Sequence, residues 1–159
     1  MKLTAQIAKQ IRDLHFGGNW TASSVKDSLA GISWQQAVTR VHSCNTIASL
    51  VFHMNYYVSA VLEVLQGELL NASDKLSFNH APILSADDWE KLLDKTWRDA
   101  ESFATLVEQL PEAKLREDFS DNKYGSWFRN LEGVIEHIHY HLGQIVLIIK
   151  IIQEDNRNK

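Results

Sequence analysis

The segment from Glu132 to Ile152, EGVIEHIHYHLGQIVLIIKII, places His137, His139 and His141 directly ahead of a run of isoleucine, valine and leucine. Imidazole exchanges protons near neutral pH and, when neutral, ligates borderline metals such as zinc. At roughly 100° per residue of an α-helix, His137 and His141 share one face at i and i+4, whereas His139 falls on the opposite flank. Two imidazoles so spaced can reach one metal ion, as in the HExxH arrangement, although the Glu of that motif is absent here. Two ligands do not complete a site. A third candidate is His53 in LVFHMNYY, which stands roughly 110° from the centre of its own apolar stripe, much the offset of His137. Tyr57 and Gln144, each about one turn beyond a histidine of this set, border the same expected crevice. The residues also fit a plainer description, in which imidazoles flanking an apolar face bond backbone carbonyls or neighbouring side chains. His15, His42, His80 and His139 read as structural or surface residues of that kind.

The elements that position these side chains are helical. Only Pro82 and Pro111 interrupt the chain, and neither strand-like alternation nor Asn-Gly hairpin signals recur. A first helix is expected over about Leu3 to Phe16, with Leu3, Ile7, Ile11 and Leu14 inward and Gly17 and Gly18 as its stop. In the connection that follows, TASSVKDSLAGI predicts a short helix, and SWQQ from Ser33 to Gln36 predicts a capping box. A second long helix is expected over about Asn45 to Gln66, carrying Ile47, Leu50, Val51, Met54, Val58, Val61, Leu62 and Leu65 on one stripe. Ser85 is the expected N-cap of a third, with Asp87, Asp88 and Glu90 in the first turn, where the helix dipole favours them. Its inward residues are Trp89, Leu93, Trp97, Ala100, Phe103, Ala104, Val107 and Leu110, and Pro111 ends it. The polar stretch from Pro111 to Gly125 reads as a loop. A fourth helix is expected from about Trp127 to Gln153, with Leu131, Val134, Ile135, Ile138, Leu142, Ile145, Ile149 and Ile152 as its core stripe. The expected fold is therefore all-α, an antiparallel four-helix bundle with an elaborated first connection, over a single domain 1–159.

Composition narrows the function classes. The 159 residues are 45% hydrophobic with a formal net charge of −4, and the sixteen lysines and arginines are scattered, so no basic face addresses nucleic acid. One cysteine, Cys44, excludes an internal disulfide. It stands nine positions before His53 on the same expected segment, about two and a half helical turns away, and reads as a buried thiol rather than a nucleophile. The five tryptophans read as core or loop anchors. The N-terminus lacks the continuous apolar core of a signal peptide, and no apolar run approaches the roughly 20 residues of a membrane span. The expectation is a cytoplasmic protein that engages neither membrane nor nucleic acid. No phosphate loop, dinucleotide fingerprint or Ser, His and Asp arrangement is identifiable.

Across nearly its whole length the chain resembles the DinB-like superfamily (DinB/YfiT-like) of small metal-binding four-helix proteins. The likeness rests on His53 in NTIASLVFHMNYY and on the closing HxxxHxGQ pattern, here His137 to Gln144 in HIHYHLGQ. The opening HFGGNWTASSVKDSLAGISWQQA, residues 15–37, is similar to one branch of that superfamily. The resemblance implies that His53, His137 and His141 bind a divalent metal, commonly zinc or nickel, and that the protein forms a homodimer. It also implies a metal-dependent enzyme acting on a small molecule, most often a transferase that uses a low-molecular-weight thiol such as bacillithiol or glutathione. Three imidazoles leave a coordination position open, which is the arrangement of a catalytic site. A hydrolase using metal-bound hydroxide, and a non-enzymatic stress-related protein that binds metal or ligand, are the competing readings. Tyr57 and Gln144 are the residues expected to orient a ligand or to bond the histidines.

Overall fold

The computed structural model describes residues 1–157. Among these the chain is all-helical: α1 (Leu3–Phe16), α2 (Val25–Leu29), α3 (Trp34–Val38), α4 (Ile47–Leu65), α5 (Ala86–Gln109) and α6 (Trp127–Arg157). Most helix starts have a local cause. Ser24, Ser33, Thr46 and Ser85 are N-caps whose hydroxyls accept the backbone N–H three residues on, at Asp27, Gln36, Ser49 and Asp88. The Ser33 cap is the expected capping box, closed by the Gln36 side chain on the Ser33 N–H. Gly17, with φ of 109°, stops α1 in a conformation that L side chains rarely adopt.

The four long helices pack in a closed cycle, α1 on α5 and α6, and α4 on α5 and α6. Their stripes supply one connected core in which Ile7, Ile11, Leu50, Phe103, Leu131 and Ile145 are fully buried. The elaborated connection from Gly17 to Thr46 is part of that core, because Val25, Leu29, Ile32, Ala37 and Val41 are all buried. Trp89 anchors it to α5, its indole N–H donating to the Ile32 carbonyl at 3.0 Å.

Several expectations need correction. Leu3 lies at the first position of α1 and is 42% exposed, so the apolar stripe of that helix begins at Ile7. Cys44 is exposed, not buried, because the Thr46 cap starts α4 after it and leaves it in the preceding turn. Trp20 anchors nothing: it projects from the loop after α1 and is fully exposed. The stretch from Pro111 to Gly125 holds two 3-10 turns, Glu112–Arg116 and Asn122–Tyr124, and an isolated bridge pairs Asp118 with Ser126. Buried Leu115 and Phe119 hold it down. Helix α4 does have the length and apolarity of a membrane span, yet 61% of that window is buried against the rest of the protein, as in a core helix.

Candidate metal centre

His137 and His141 lie one turn apart on α6, and His53 faces them from α4. The core stripes of both helices fix this register, since Ile138 and Leu142 alternate with the two α6 histidines and Met54 follows His53. The Nε2 atom of His137 is 3.0 Å from Nε2 of His53 and 3.1 Å from Nε2 of His141. One ligand atom from each of the three lies within 4.8 Å of the others. His53 and His141 are each 8% exposed, and His137 is half-buried. The outsider of the sequence motif stays outside: His139 is exposed, with Nδ1 donating to the Ile135 carbonyl at 3.1 Å.

Hydrogen bonds behind the rings decide which nitrogen each presents. The Ser77 carbonyl can only accept, so His53 carries its proton on Nδ1 there, at 3.3 Å, and offers a bare Nε2. Likewise His141 donates from Nδ1 to Oε1 of Gln144 at 2.7 Å and offers a bare Nε2. Two lone pairs thus aim at the same place as the Nε2 of His137, whose buried Nδ1 has no partner. A single proton on His137 Nε2 cannot bond both neighbours well, whereas a cation satisfies all three. In a tetrahedral zinc site with bonds of 2.0–2.1 Å, ligand nitrogens are about 3.3 Å apart, so the 3.0 and 3.1 Å separations fit after opening by a few tenths of an ångström. The residues fit a divalent ion that accepts neutral imidazoles.

The surroundings disfavour a proton on His137 and His53. Burial, and then the imidazoles of His141 and His53, push the pKa of His137 down to about 4. Burial and His141 also lower that of His53, against the opposing pull of the Ser77 bond and Asp74. A stability consequence follows from the sign of these shifts. An unfolded imidazole takes a proton near pH 6.5, while folded His137 refuses one until about 4, so the stabilisation is complete above 6.5 and is lost as pH falls through that window. Chelator-treated protein should therefore show a falling urea midpoint between about pH 7 and pH 4.5. His137→Gln should flatten part of that fall, and an unchanged slope would refute the assignment.

The loop between α4 and α5 completes the site. Phe78 stacks on the His53 ring, with centroids 3.9 Å apart and planes 10° from parallel. The loop is held to α4 by two tyrosines: Tyr57 donates to Asp74 Oδ1 at 2.5 Å, and the Tyr56 hydroxyl accepts the Ser73 N–H at 2.9 Å. Tyr57 meets His53 and His137 edge-on, at centroid distances of 5.3 and 4.9 Å. It therefore borders the site as expected, but through its ring, since its hydroxyl is committed to Asp74. Gln144 is bonded to His141, one of the roles expected of it. Sequence reasoning did not single out Asp74, Ser77 or Phe78. Ser77 acts through its backbone, which leaves no signature in residue type; the aromatic residue in the polar loop SFNH was the available signal.

On the far side of His137 the site opens into a cleft of about 470 Å³ between α4 and the start of α6, where Tyr57, Val61 and Val134 form the apolar wall. Cys44 is not among the residues of either the cluster or the cleft. Compared with protein-family models, curated proteins and solved structures, the chain yields no match.

Proposed function

We propose that this chain is a DinB-like protein, an antiparallel four-helix bundle whose His53, His137 and His141 hold a divalent ion, zinc or nickel, and that it is a thiol-dependent S-transferase. The observation that carries the reading is the convergence of three Nε2 atoms, two of them made bare by the Ser77 and Gln144 bonds. The cyclic packing of α1, α4, α5 and α6 supports the bundle. A cytoplasmic homodimer acting on a small molecule belongs to the same reading.

Bound by three imidazoles, the ion supplies positive charge that favours the thiolate of an external thiol over the thiol. Gln144 and Ser77 keep the ligand rings in the tautomer the ion requires. Phe78 and Tyr57 shield two of the rings from water. None of the three histidines is a general base, because each directs its Nε2 at the others. Overall, RSH and an electrophile R′X give RSR′ and HX: sulfur supplies the electron pair, X leaves with the electrons of the broken bond, and the thiol proton passes to X or to solvent.

The test uses zinc-saturated protein with glutathione and monobromobimane, beside His53→Ala. Turnover that requires thiol and metal and disappears in the variant supports the proposal. Thiol-independent hydrolysis of p-nitrophenyl acetate, lost in the same variant, would replace it with a hydrolase. Zinc that raises the melting temperature without either activity would leave a metal-binding protein.

A further inference from the structure

The cleft beside His137 has a charge the site itself does not explain. Its polar rim is formed by Arg129 and Asn130, from the first turn of α6, and by Lys123 and Tyr124, from the preceding 3-10 turn. Two cations border it, and no carboxylate lines it among the described residues. The acidic neighbours of these cations are held loosely. Arg129 Nη1 meets Glu136 at 3.3 Å, with both side chains about two-thirds exposed, and Lys123 is 3.6 Å from exposed Asp121. Exposed pairs of this kind contribute roughly 0–1 kcal/mol, so a ligand can displace them. The frame beneath is firmer, because the Asn130 amide donates to the carbonyls of Tyr124 and Ser126, at 2.9 and 2.8 Å, and ties the turn to α6.

Gly133 is the second observation. Glycine inside a helix costs about 1 kcal/mol relative to alanine, yet this one lies within α6, on the floor of the cleft. A Cβ there would come within 3.1 Å of Arg129 Nη1, so the bare backbone leaves the guanidinium room to lie close along the helix, where a side chain would shift it by a few tenths of an ångström. The guanidinium fork is suited to bidentate capture of a carboxylate, and Lys123 adds a mobile second charge. The cleft ends at His137 and so at the reacting centre.

From this geometry we propose that the cleft seats a carboxylate of the small molecule that reacts at the histidine site, held by Arg129 and Lys123. The inference rests on the function proposed above for what happens at the histidines, but not for the binding itself. The carboxylate belongs either to the thiol or to its electrophilic partner, and the two sources are separable.

The experiment is an NMR titration of the backbone amide signals of Asn130 and Gly133, which line the cleft, in zinc-saturated protein with glutarate, which has carboxylates and no thiol. A saturable shift is expected, with binding about tenfold weaker in Arg129→Gln, the loss of one charged hydrogen-bonded contact. Lys123→Gln should weaken it in the same direction. If glutarate produces no saturable shift, or binds both variants as it binds the wild type, the proposal is overturned. Addition of 3-mercaptopropionate then identifies the source: competition with glutarate places the carboxylate on the thiol, and simultaneous binding places it on the electrophile. Should the protein take up no zinc, the same titration on protein as purified still decides the cleft. Glutarate binding there would retain the carboxylate seat while the metal-dependent chemistry falls. Thiol-dependent turnover without any glutarate response would do the reverse.

Discussion

His137→Ala protein purified without an affinity tag should contain almost no zinc, whereas the wild type and His139→Ala should each carry about one ion per chain. The contrast comes from direction along one helix. His137 Nε2 stands 3.0 and 3.1 Å from the other two Nε2 atoms, whereas His139, two residues on, is exposed and spends its Nδ1 on a backbone carbonyl. Losing a residue that merely supports a ligand typically costs 10–100-fold in metal affinity, so loss of a ligand itself should cost more than about a hundredfold. Elemental analysis and zinc titration against a chelating dye measure both effects. Folding should survive, because the variant trims a half-buried side chain at the border of the core and leaves the core stripe of α6 untouched. Equal zinc content in all three proteins would mean that the cluster is only the polar edge of a buried helix.

Phe103→Ala should do the converse, losing stability and keeping the ion. Phe103 is fully buried in the second half of α5, a helix that contributes no residue to the histidine cluster. Truncating a buried phenylalanine to alanine costs about 3–5 kcal/mol, from lost burial and the cavity left behind. For a chain of this size that lowers the melting temperature by roughly 10 °C. Calorimetry on the zinc-loaded proteins reads the drop, and elemental analysis below the transition should still find about one zinc per chain. A loss smaller than about 1 kcal/mol would show that the four long helices do not share the core described above.

Much of this arrangement was legible in residue order, and the reasons are local. Helix α1 has the expected bounds because Gly17 leaves no alternative stop, and Ser33 and Ser85 cap as their spacing to Gln36 and Asp88 requires. The i, i+4 geometry of His137 and His141 follows from helical pitch alone, and it separated them from His139. The position of His53 needed one further step, the matching of its offset to that of His137 across two packed stripes. What could not be read was whatever depends on backbone placed by distant contacts. The Ser77 carbonyl reaches His53 across 24 residues, and nothing in a serine announces that role. Cys44 and Trp20 failed for the opposite reason: residue type argued for burial, but each sits in a turn outside the core stripes. The turn carrying Lys123 read as featureless loop, because 3-10 segments have no periodicity long enough to register.

Every side chain in the cluster is an imidazole, and no carboxylate joins it among the described residues. That choice has an isoelectric consequence. Neutral donors cancel none of a divalent ion's charge, so occupancy would carry the chain from its formal −4 to roughly −2 at neutral pH and raise its isoelectric point. Loaded and empty molecules would separate on a focusing gel. The imbalance is concentrated in a half-buried site flanked by Lys123 and Arg129, where solvent screens it less than it would an exposed ion. Electroneutrality at that end of the molecule is left for the ligand to restore, and a thiolate that also carries a carboxylate would bring two negative charges to it.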